Sequence, residues 1–315
     1  MYKTSWLFAA LAFLLIAAVC SSGCIAELNP TPDEVKIRGN IISVDPAYVS
    51  NDIIWVLLLN PNNYEPVLFS AVESYLPRDN PVIEVGCGIG ALSAFVNDLL
   101  TYPVDQVSIE PNPHLQEGLK KTQEVNNLRC TFLEAAVAYG AEKVEMQVSS
   151  NILNNKVLTT AREDTVLVDA TSLEEVAKDA GFTNKNLTII MTAVGSEHTI
   201  VQKESAFFKE NVDTVICAVY ADGKANADTF TTQMQKAGFS EVYSAPDESG
   251  GFTVEVYKKN PDYTIPSFNA GNEDTPVPTP DQTTAPVTAA PTAAAPTKAA
   301  PAATETATTI TTETA

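Results

Sequence analysis

Residues 82–90 read Val-Ile-Glu-Val-Gly-Cys-Gly-Ile-Gly, a spacing suited to holding a nucleoside. An apolar run of strand type carries an acid, Glu84, and then meets glycine at every second position: Gly86, Gly88 and Gly90. Glycine in such a turn lets the backbone approach a ligand with no Cβ in the way. A second apolar run, Val107-Ser108-Ile109, ends in Glu110, twenty residues past Gly90. In doubly wound α/β domains an acid at the end of the second strand accepts hydrogen bonds from ribose hydroxyls. The two features together describe a site for an adenosine-bearing cofactor.

Two such cofactors fit the turn. Gly86, Gly88 and Ala91 satisfy a relaxed dinucleotide fingerprint, G-x-G-x-x-A. Glu84-x-Gly86-x-Gly88-x-Gly90 instead matches the turn that binds S-adenosylmethionine (SAM), an acid followed by alternating glycines. The acid two residues before the first glycine favours SAM, whose methionine end it would contact. A glycine turn without any ligand is the third possibility. Acid/base chemistry has one candidate pair, Glu197-His198. Neighbouring helix residues point about 100° apart, so the two need not act together. The alternative is an exposed helix start with Glu197 set favourably against the dipole. His114, at another helix start, reads as surface. Two histidines and no CxxC give no expectation of a metal site. Cys87, Cys130 and Cys217 lie in or beside apolar runs and read as buried free thiols rather than a disulfide framework.

These residues need a scaffold of alternating strands and helices. A helical pattern opens at Tyr64-Glu65-Pro66, with Val67, Leu68, Ala71, Val72 and Tyr75 on one side. Strands are expected over 82–86, 105–110, 130–134, 186–193 and 213–219, and helices over 90–101, 197–209 and 225–238. Pro111-Asn112-Pro113 stops one strand and starts a helix running to Asn126. Residues 143–148 alternate like a half-exposed antiparallel strand, 151–156 read as a loop and 165–168 as a further strand. Ser172 and Glu175 have capping-box spacing. Glu241–Ser244 and Phe252–Tyr257 form a closing hairpin. The fold class is therefore α/β and Rossmann-like: a mostly parallel seven-stranded sheet with a terminal antiparallel hairpin, the arrangement of SAM-dependent methyltransferases.

The ends of the chain are expected to be non-globular. Residues 1–24 combine Lys3, an uncharged apolar stretch from Trp6 to Val19, and Ser21-Ser22-Gly23-Cys24. They read as a signal peptide with a prokaryotic lipobox, lipidated at Cys24, or as a membrane anchor. Either places the protein outside the cell, tethered to the membrane at the cell surface of a prokaryote. Residues 25–59 are expected to be an irregular extension and 60–262 the domain. Residues 263–315 form a tail, rich in Thr, Ala and Pro and without aromatics from 271 on, that cannot bury enough apolar surface to order itself. A net charge of −20 argues against a nucleic-acid partner.

The stretches Tyr64-Glu65-Pro66, Val82 to Gly90, Glu110-Pro111-Asn112-Pro113, Leu119-Lys120-Lys121, Asn126-Asn127-Leu128 and Glu134-Ala135-Ala136-Val137-Ala138 resemble the FkbM-type methyltransferases over residues 60–258. The extra strand at 143–149 and the segment Thr171-Ser172-Leu173-Glu174 fit the same family. The resemblance implies methyl transfer from SAM to a hydroxyl of a glycan, lipid-linked or small-molecule acceptor, without a metal. It implies that Glu110, in its Glu110-Pro111-Asn112 segment, holds the ribose. Glu84 and the turn from Gly86 through Cys87 and Gly88 to Gly90 would line the methionine moiety, and Glu134-Ala135 would lie near the adenine. The chain departs from the family at Glu84, Cys87 and Gly88, where Asp, Ala and Asn are usual. It departs further on the fourth strand, where Thr192 and Val194 replace an Asp and a Glu. A carboxylate there would orient or deprotonate a substrate hydroxyl; Thr192 cannot act as a base and Val194 cannot bind a polar group. Two readings follow: a working O-methyltransferase, or an exported surface protein that uses the fold as a non-catalytic binding module. A dinucleotide-dependent oxidoreductase lacks a catalytic Tyr/Lys or His/Asp set at any recognisable spacing.

Overall fold

The computed structural model describes residues 32–148, 156–157, 165–183, 185–220, 224–247 and 251–260. The expected signal or anchor with Cys24, residues 151–155 of the loop expected at 151–156 and the tail 263–315 lie outside the described residues; Lys156, expected in that loop, instead opens a short strand, Lys156–Val157. Among the described residues no helix is long and apolar enough to cross a membrane.

The chain runs β1 (Glu34–Ile37), β2 (Asn40–Ser43), α1 (Asn51–Leu59), α2 (Pro66–Tyr75), β3 (Val82–Val85), α3 (Ala91–Leu99) and β4 (Gln106–Ile109). It continues through α4 (Gln116–Asn126), β5 (Thr131–Leu133), β6 (Ala136–Val137), β7 (Lys143–Gln147), β8 (Lys156–Val157), β9 (Thr165–Thr171) and α5 (Leu173–Asp179). The last elements are β10 (Leu187–Met191), α6 (Glu197–Lys203), α7 (Ser205–Asn211), β11 (Val212–Tyr220), α8 (Lys224–Lys236), β12 (Phe239–Pro246) and β13 (Phe252–Lys259).

Seven strands form one sheet in the order β12-β13-β11-β10-β3-β4-β5. Every neighbouring pair from β11 to β5 is parallel, and β13 runs antiparallel to both β11 and β12. This is the Rossmann-like methyltransferase fold expected from the sequence. A smaller sheet, β6-β9-β7-β8, contains the alternating strand expected at 143–148. Helices cover both faces of the large sheet, so its central strands are buried throughout. Because side chains alternate across a strand, Ile190 and Ile216 join the core that includes α2 and α3, while Ile189, Met191, Val215 and Cys217 join the core of α5, α6 and α8. Cys87, Cys130 and Cys217 are buried free thiols. Ser172 and Glu175 form the expected capping box on α5.

Two expectations need correction. Residues 25–59 were expected to be irregular, yet 34–59 hold the β1–β2 hairpin and α1. Val35, Ile37 and Ile42 point inward from the hairpin and pack with Ile54 and Leu57 of α1 against Leu68 and Phe69 of α2. The Asn126 amide of α4 accepts from Ile41 N at 2.9 Å and donates to Ile41 O at 2.6 Å, and Thr122 Oγ1 accepts from Ser43 N. The hairpin is thus part of the core rather than an extension. The helix expected over 197–209 is two, α6 and α7, broken at Glu204. Glu204 leaves helical geometry and takes hydrogen bonds from Leu173 N at 2.8 Å and Glu174 N at 2.9 Å, satisfying donors at the start of α5.

The strand order reverses between β3 and β10, with β4 leading to one edge and β11 to the other. Ligands of open α/β sheets bind in the crevice beyond the carboxyl ends of the strands at such a point. The glycine turn after β3 and the turn after β10 meet there.

Candidate functional site

The three glycines of the first turn all have left-handed backbones, with φ of 83° at Gly86, 54° at Gly88 and 78° at Gly90. They serve different purposes. A Cβ on Gly86 would lie 2.6 Å from Thr192 O, and one on Gly90 would lie 2.7 Å from Leu119 Cδ2. A Cβ on Gly88 would meet nothing within 4 Å. Gly86 and Gly90 are therefore glycine for packing, and Gly88 is the position where the backbone lies open to the cavity.

Glu110, just past β4, closes this turn from the side. Its Oε2 accepts from Gly88 N at 2.7 Å and its Oε1 from Asn112 N at 2.9 Å. Each carboxylate oxygen keeps a second lone pair for a further donor. Burial pushes the Glu110 carboxyl up to about 7, although the two backbone bonds pull it down. Asn112 is a loop brace: its side chain accepts from His114 N at 3.0 Å.

Glu84 sits at the inner end of the cavity, 1 % exposed. Its Oε2 accepts from Ser93 Oγ of α3 and from Ser108 Oγ of β4, each at 2.6 Å. Gln106 donates to Ser108 Oγ at 3.1 Å and to Ser93 O at 3.0 Å, and Asn97 donates to Gln106 at 2.9 Å. Burial raises the Glu84 pKa and these hydroxyl bonds oppose the rise. The chain of side chains fixes the carboxylate, as a buried polar group requires.

The opposite wall comes from the turn after β10, the end of β11 and the segment before α2. Thr192 donates its hydroxyl to Gly86 O and to Val85 O, the latter at 3.2 Å. It seals the seam between β3 and β10 rather than offering its hydroxyl to a ligand. Val194 lines the cavity with φ 41°, an uncommon conformation for a β-branched residue. Tyr64, Glu65, Ser196 and Tyr220 complete this side. Glu65 also has a left-handed backbone, φ 44° and ψ 49°, immediately before Pro66. Burial, with Asp247 and Glu84 nearby, pushes its carboxyl up to about 7.

The cavity between these walls has about 910 Å³ of empty space, part of it open to solvent. Among the described residues the lining of the cavity includes Glu65, Glu84 and Glu110 and no Lys, Arg or His. Among the described residues no group of His, Cys, Asp and Glu is arranged to hold a metal ion.

Of the residues singled out in the sequence, Glu84, Gly86, Cys87, Gly88, Glu110, Pro111 and Ala135 line this cavity together. Gly90, Asn112 and Glu134 do not: Gly90 packs on Leu119, Asn112 braces its loop and Glu134 is exposed. The pair Glu197-His198 is not in the lining either. Nor is Glu197 at an exposed helix start: it is 2 % exposed, and its Oε1 accepts from Gly195 N at 3.1 Å, holding the turn after β10. His198 Nε2 lies 3.3 Å from Thr199 Oγ1 on its own helix. Tyr64, Glu65 and Tyr220 were missed as site residues. The left-handed Glu65 before a proline leaves no periodic trace, and Tyr220 looks like any aromatic at a strand end.

No protein-family model matches the chain, and no curated protein sequence matches it. Solved structures are similar to it in fold. One is a protein of the NADB-Rossmann superfamily from Streptococcus agalactiae, with 12 % identity and TM-score 0.40, covering 63 % of this chain and 70 % of that one. Another is magnesium protoporphyrin IX methyltransferase from Synechocystis with bound SAM, with 9 % identity and TM-score 0.40, covering 66 % and 84 %. A third is precorrin-6y C5,15-methyltransferase from Geobacter metallireducens, with 12 % identity and TM-score 0.36, covering 62 % and 87 %. Likeness at this level concerns fold alone; the choice of ligand rests on the cavity itself.

Proposed function

We propose that the cavity binds SAM and that the domain is a methyltransferase of FkbM type acting on a hydroxyl of a glycan, a lipid-linked molecule or a small molecule. The observation that carries this reading is the charge of the lining: among the described residues, three carboxylates and no cationic side chain. A dinucleotide would bring a pyrophosphate, which needs free backbone N–H groups at a helix N-terminus. Here the Gly88 N–H is already given to Glu110, and the carboxylates repel a second anion. SAM brings a sulfonium and an ammonium, which the same carboxylates attract.

When bound, SAM supplies a methyl group made electrophilic by the adjacent sulfonium. The residues of this chain bind and orient. Glu110 has lone pairs left for ribose hydroxyls, Gly88 leaves its backbone open, and Glu84 is held rigidly for the methionine end. Ile109, Pro111 and Ala135 offer an apolar surface to the adenine. Methyl transfer depends chiefly on proximity and alignment, so it does not require the fourth-strand carboxylates. Lys3, the uncharged apolar stretch from Trp6 to Val19 and the lipobox-like Ser21-Ser22-Gly23-Cys24 support export and a membrane tether, which would set the acceptor among cell-surface molecules.

One observation favours the second reading, a binding module without turnover. The Thr192 hydroxyl is spent on backbone carbonyls and Val194 is apolar, so the turn after β10 presents no base at either of those positions. Titrating the full-length protein in parallel with SAM and NAD⁺, then incubating it with methyl-labelled SAM and separate envelope glycan and lipid fractions, tests both readings. Binding of SAM but not NAD⁺, with label transferred to a fraction, is the expected result. SAM binding without transfer would leave the module reading, and NAD⁺ binding would overturn the ligand assignment.

A further inference from the structure

Glu65 stands apart from the other two carboxylates of the cavity. Glu84 and Glu110 are each held by two or more fixed donors. Glu65 occupies the N-cap position of α2 but makes no side-chain cap bond, and Pro66, at the first helical position, has no N–H to offer it. Among the described residues no hydrogen bond or ion pair holds its carboxylate. Its left-handed backbone, unfavourable for a residue with a Cβ, is a conformation that persists at ligand sites when the surroundings enforce it.

Among the described residues, the titratable groups around Glu65 and the rings beside it are acidic or neutral. Tyr64 adjoins it, Glu84 and Cys87 come from the end of β3 and the turn after it, Tyr220 from the end of β11, and Asp247 follows β12. Glu197 of α6 adds its charge near Tyr220. Burial holds the Tyr64 and Tyr220 hydroxyls and the Cys87 thiol protonated. Arg38 lies over the Phe69 ring, 5.4 Å from its centroid, and is not part of the cavity lining. A cation entering this half of the cavity would meet the Glu65 carboxylate, which no hydrogen bond holds among the described residues, and two aromatic rings able to receive it.

We propose that the cavity selects its ligand by charge: Glu65, beside Glu84 and the rings of Tyr64 and Tyr220, favours the cationic sulfonium of SAM over the neutral thioether of S-adenosylhomocysteine. The inference rests on SAM being the ligand. Its consequence is that methyl transfer removes the charge that holds the cofactor, so the spent form leaves the cavity readily. The preference depends on Glu65 being ionised. Its carboxyl is pushed up to about 7, so the preference is present at pH 8 and is lost as pH falls through 7 to 6. Glu110 ionises over the same range, but both ligands carry the ribose it would hold, so its titration cancels in the ratio of the two affinities.

The test is calorimetric titration of the full-length protein with SAM and with S-adenosylhomocysteine at pH 8 and pH 6. The expected result is SAM at least about tenfold tighter at pH 8, a difference of about 1.4 kcal/mol, shrinking to less than about threefold at pH 6. Glu65→Gln should remove most of the pH 8 preference while leaving S-adenosylhomocysteine affinity within about twofold, which also shows that the variant is folded. Glu65→Asp should keep the preference; if Glu65→Gln fails to fold, this variant and the pH dependence of the parent protein decide. Equal affinities at pH 8, or a preference untouched by Glu65→Gln, would overturn charge selection while leaving the SAM assignment in place. Failure of both ligands to bind would instead remove the assignment on which it rests.

Discussion

The wall of the cavity built after β3 and β4 puts its left-handed backbone on glycine, whereas the wall built before α2 and after β10 puts it on Glu65 and Val194 as well. The first wall also saturates its carboxylates with fixed donors: Ser93 and Ser108 on Glu84, and Gly88 N and Asn112 N on Glu110. On the second wall the cavity-lining carboxylate Glu65 lacks such donors among the described residues, and the Thr192 hydroxyl is turned into the backbone seam. The first wall is preorganised to hold a ligand of fixed shape. The second stores strain and unbalanced charge, which are properties that discriminate between ligands rather than merely grip them.

Substitutions that exchange these properties between the walls should be felt unequally. The largest effect is expected at Gly86→Ala. Its new Cβ would sit 2.6 Å from Thr192 O, between two central strands that cannot separate, and would occupy a left-handed backbone. A loss of about 3 kcal/mol in denaturant unfolding is expected. Gly88→Ala, with open space at its Cβ, should cost only about 1 kcal/mol. Equal losses at the two positions would show that the turn is not wedged against β10.

The next effect is on pH dependence. Glu65 and Glu110 both have carboxyls raised from 4.5 to about 7 in the folded protein, so the folded state holds protons that the unfolded chain releases between those values. Their contribution to stability is therefore fully present below pH 4.5 and is lost as pH rises through 7. The melting temperature should be several degrees higher at pH 5.5 than at pH 8. Combining Glu65→Gln with Glu110→Gln should flatten the slope, and an unchanged slope in that double variant would show that these carboxyls are not the cause.

Smaller effects follow on the second wall. Thr192→Val removes the hydroxyl that bridges to Gly86 O and Val85 O and should cost about 1 kcal/mol, read as a shift in denaturant midpoint. Val194→Gly relieves a β-branched residue at φ 41° and should stabilise the fold by up to about 1 kcal/mol once glycine's own chain entropy is counted. Destabilisation by Val194→Gly would mean that the packing of the valine outweighs the strain of its backbone.

The first wall was legible in the sequence because its chemistry is local. Gly86, Gly88 and Gly90 fall within one turn, and Glu110 ends the next strand, so spacing alone brings them together. The second wall was legible only at Thr192 and Val194 on the fourth strand, because Tyr64, Glu65 and Tyr220 reach the cavity from distant segments and carry no local sign of a site. Glu197 was misread for a related reason: a helix N-terminus looks exposed in sequence, and only the fold shows its carboxylate folded back onto Gly195 N. The β1–β2 hairpin escaped notice because four-residue strands give only two inward positions each, Val35 and Ile37 on one and Asn40 and Ile42 on the other. The break at Glu204 has no local signal, since its cause is the start of α5 some thirty residues earlier. By contrast the mostly parallel sheet and its closing antiparallel hairpin were accessible, because alternating strands and helices followed by a hairpin admit few topologies.

The measurement that bears most directly on the central claim is calorimetric titration of the full-length protein and its Glu110→Ala variant with SAM. Removing that carboxylate leaves the Gly88 and Asn112 N–H groups without their acceptor and takes away the group assigned to the ribose. The parent protein should bind in the micromolar range, with a loss of about thirtyfold or more, about 2 kcal/mol, in the variant. No heat of binding from the parent protein at millimolar SAM, or equal binding by the variant, would contradict that claim.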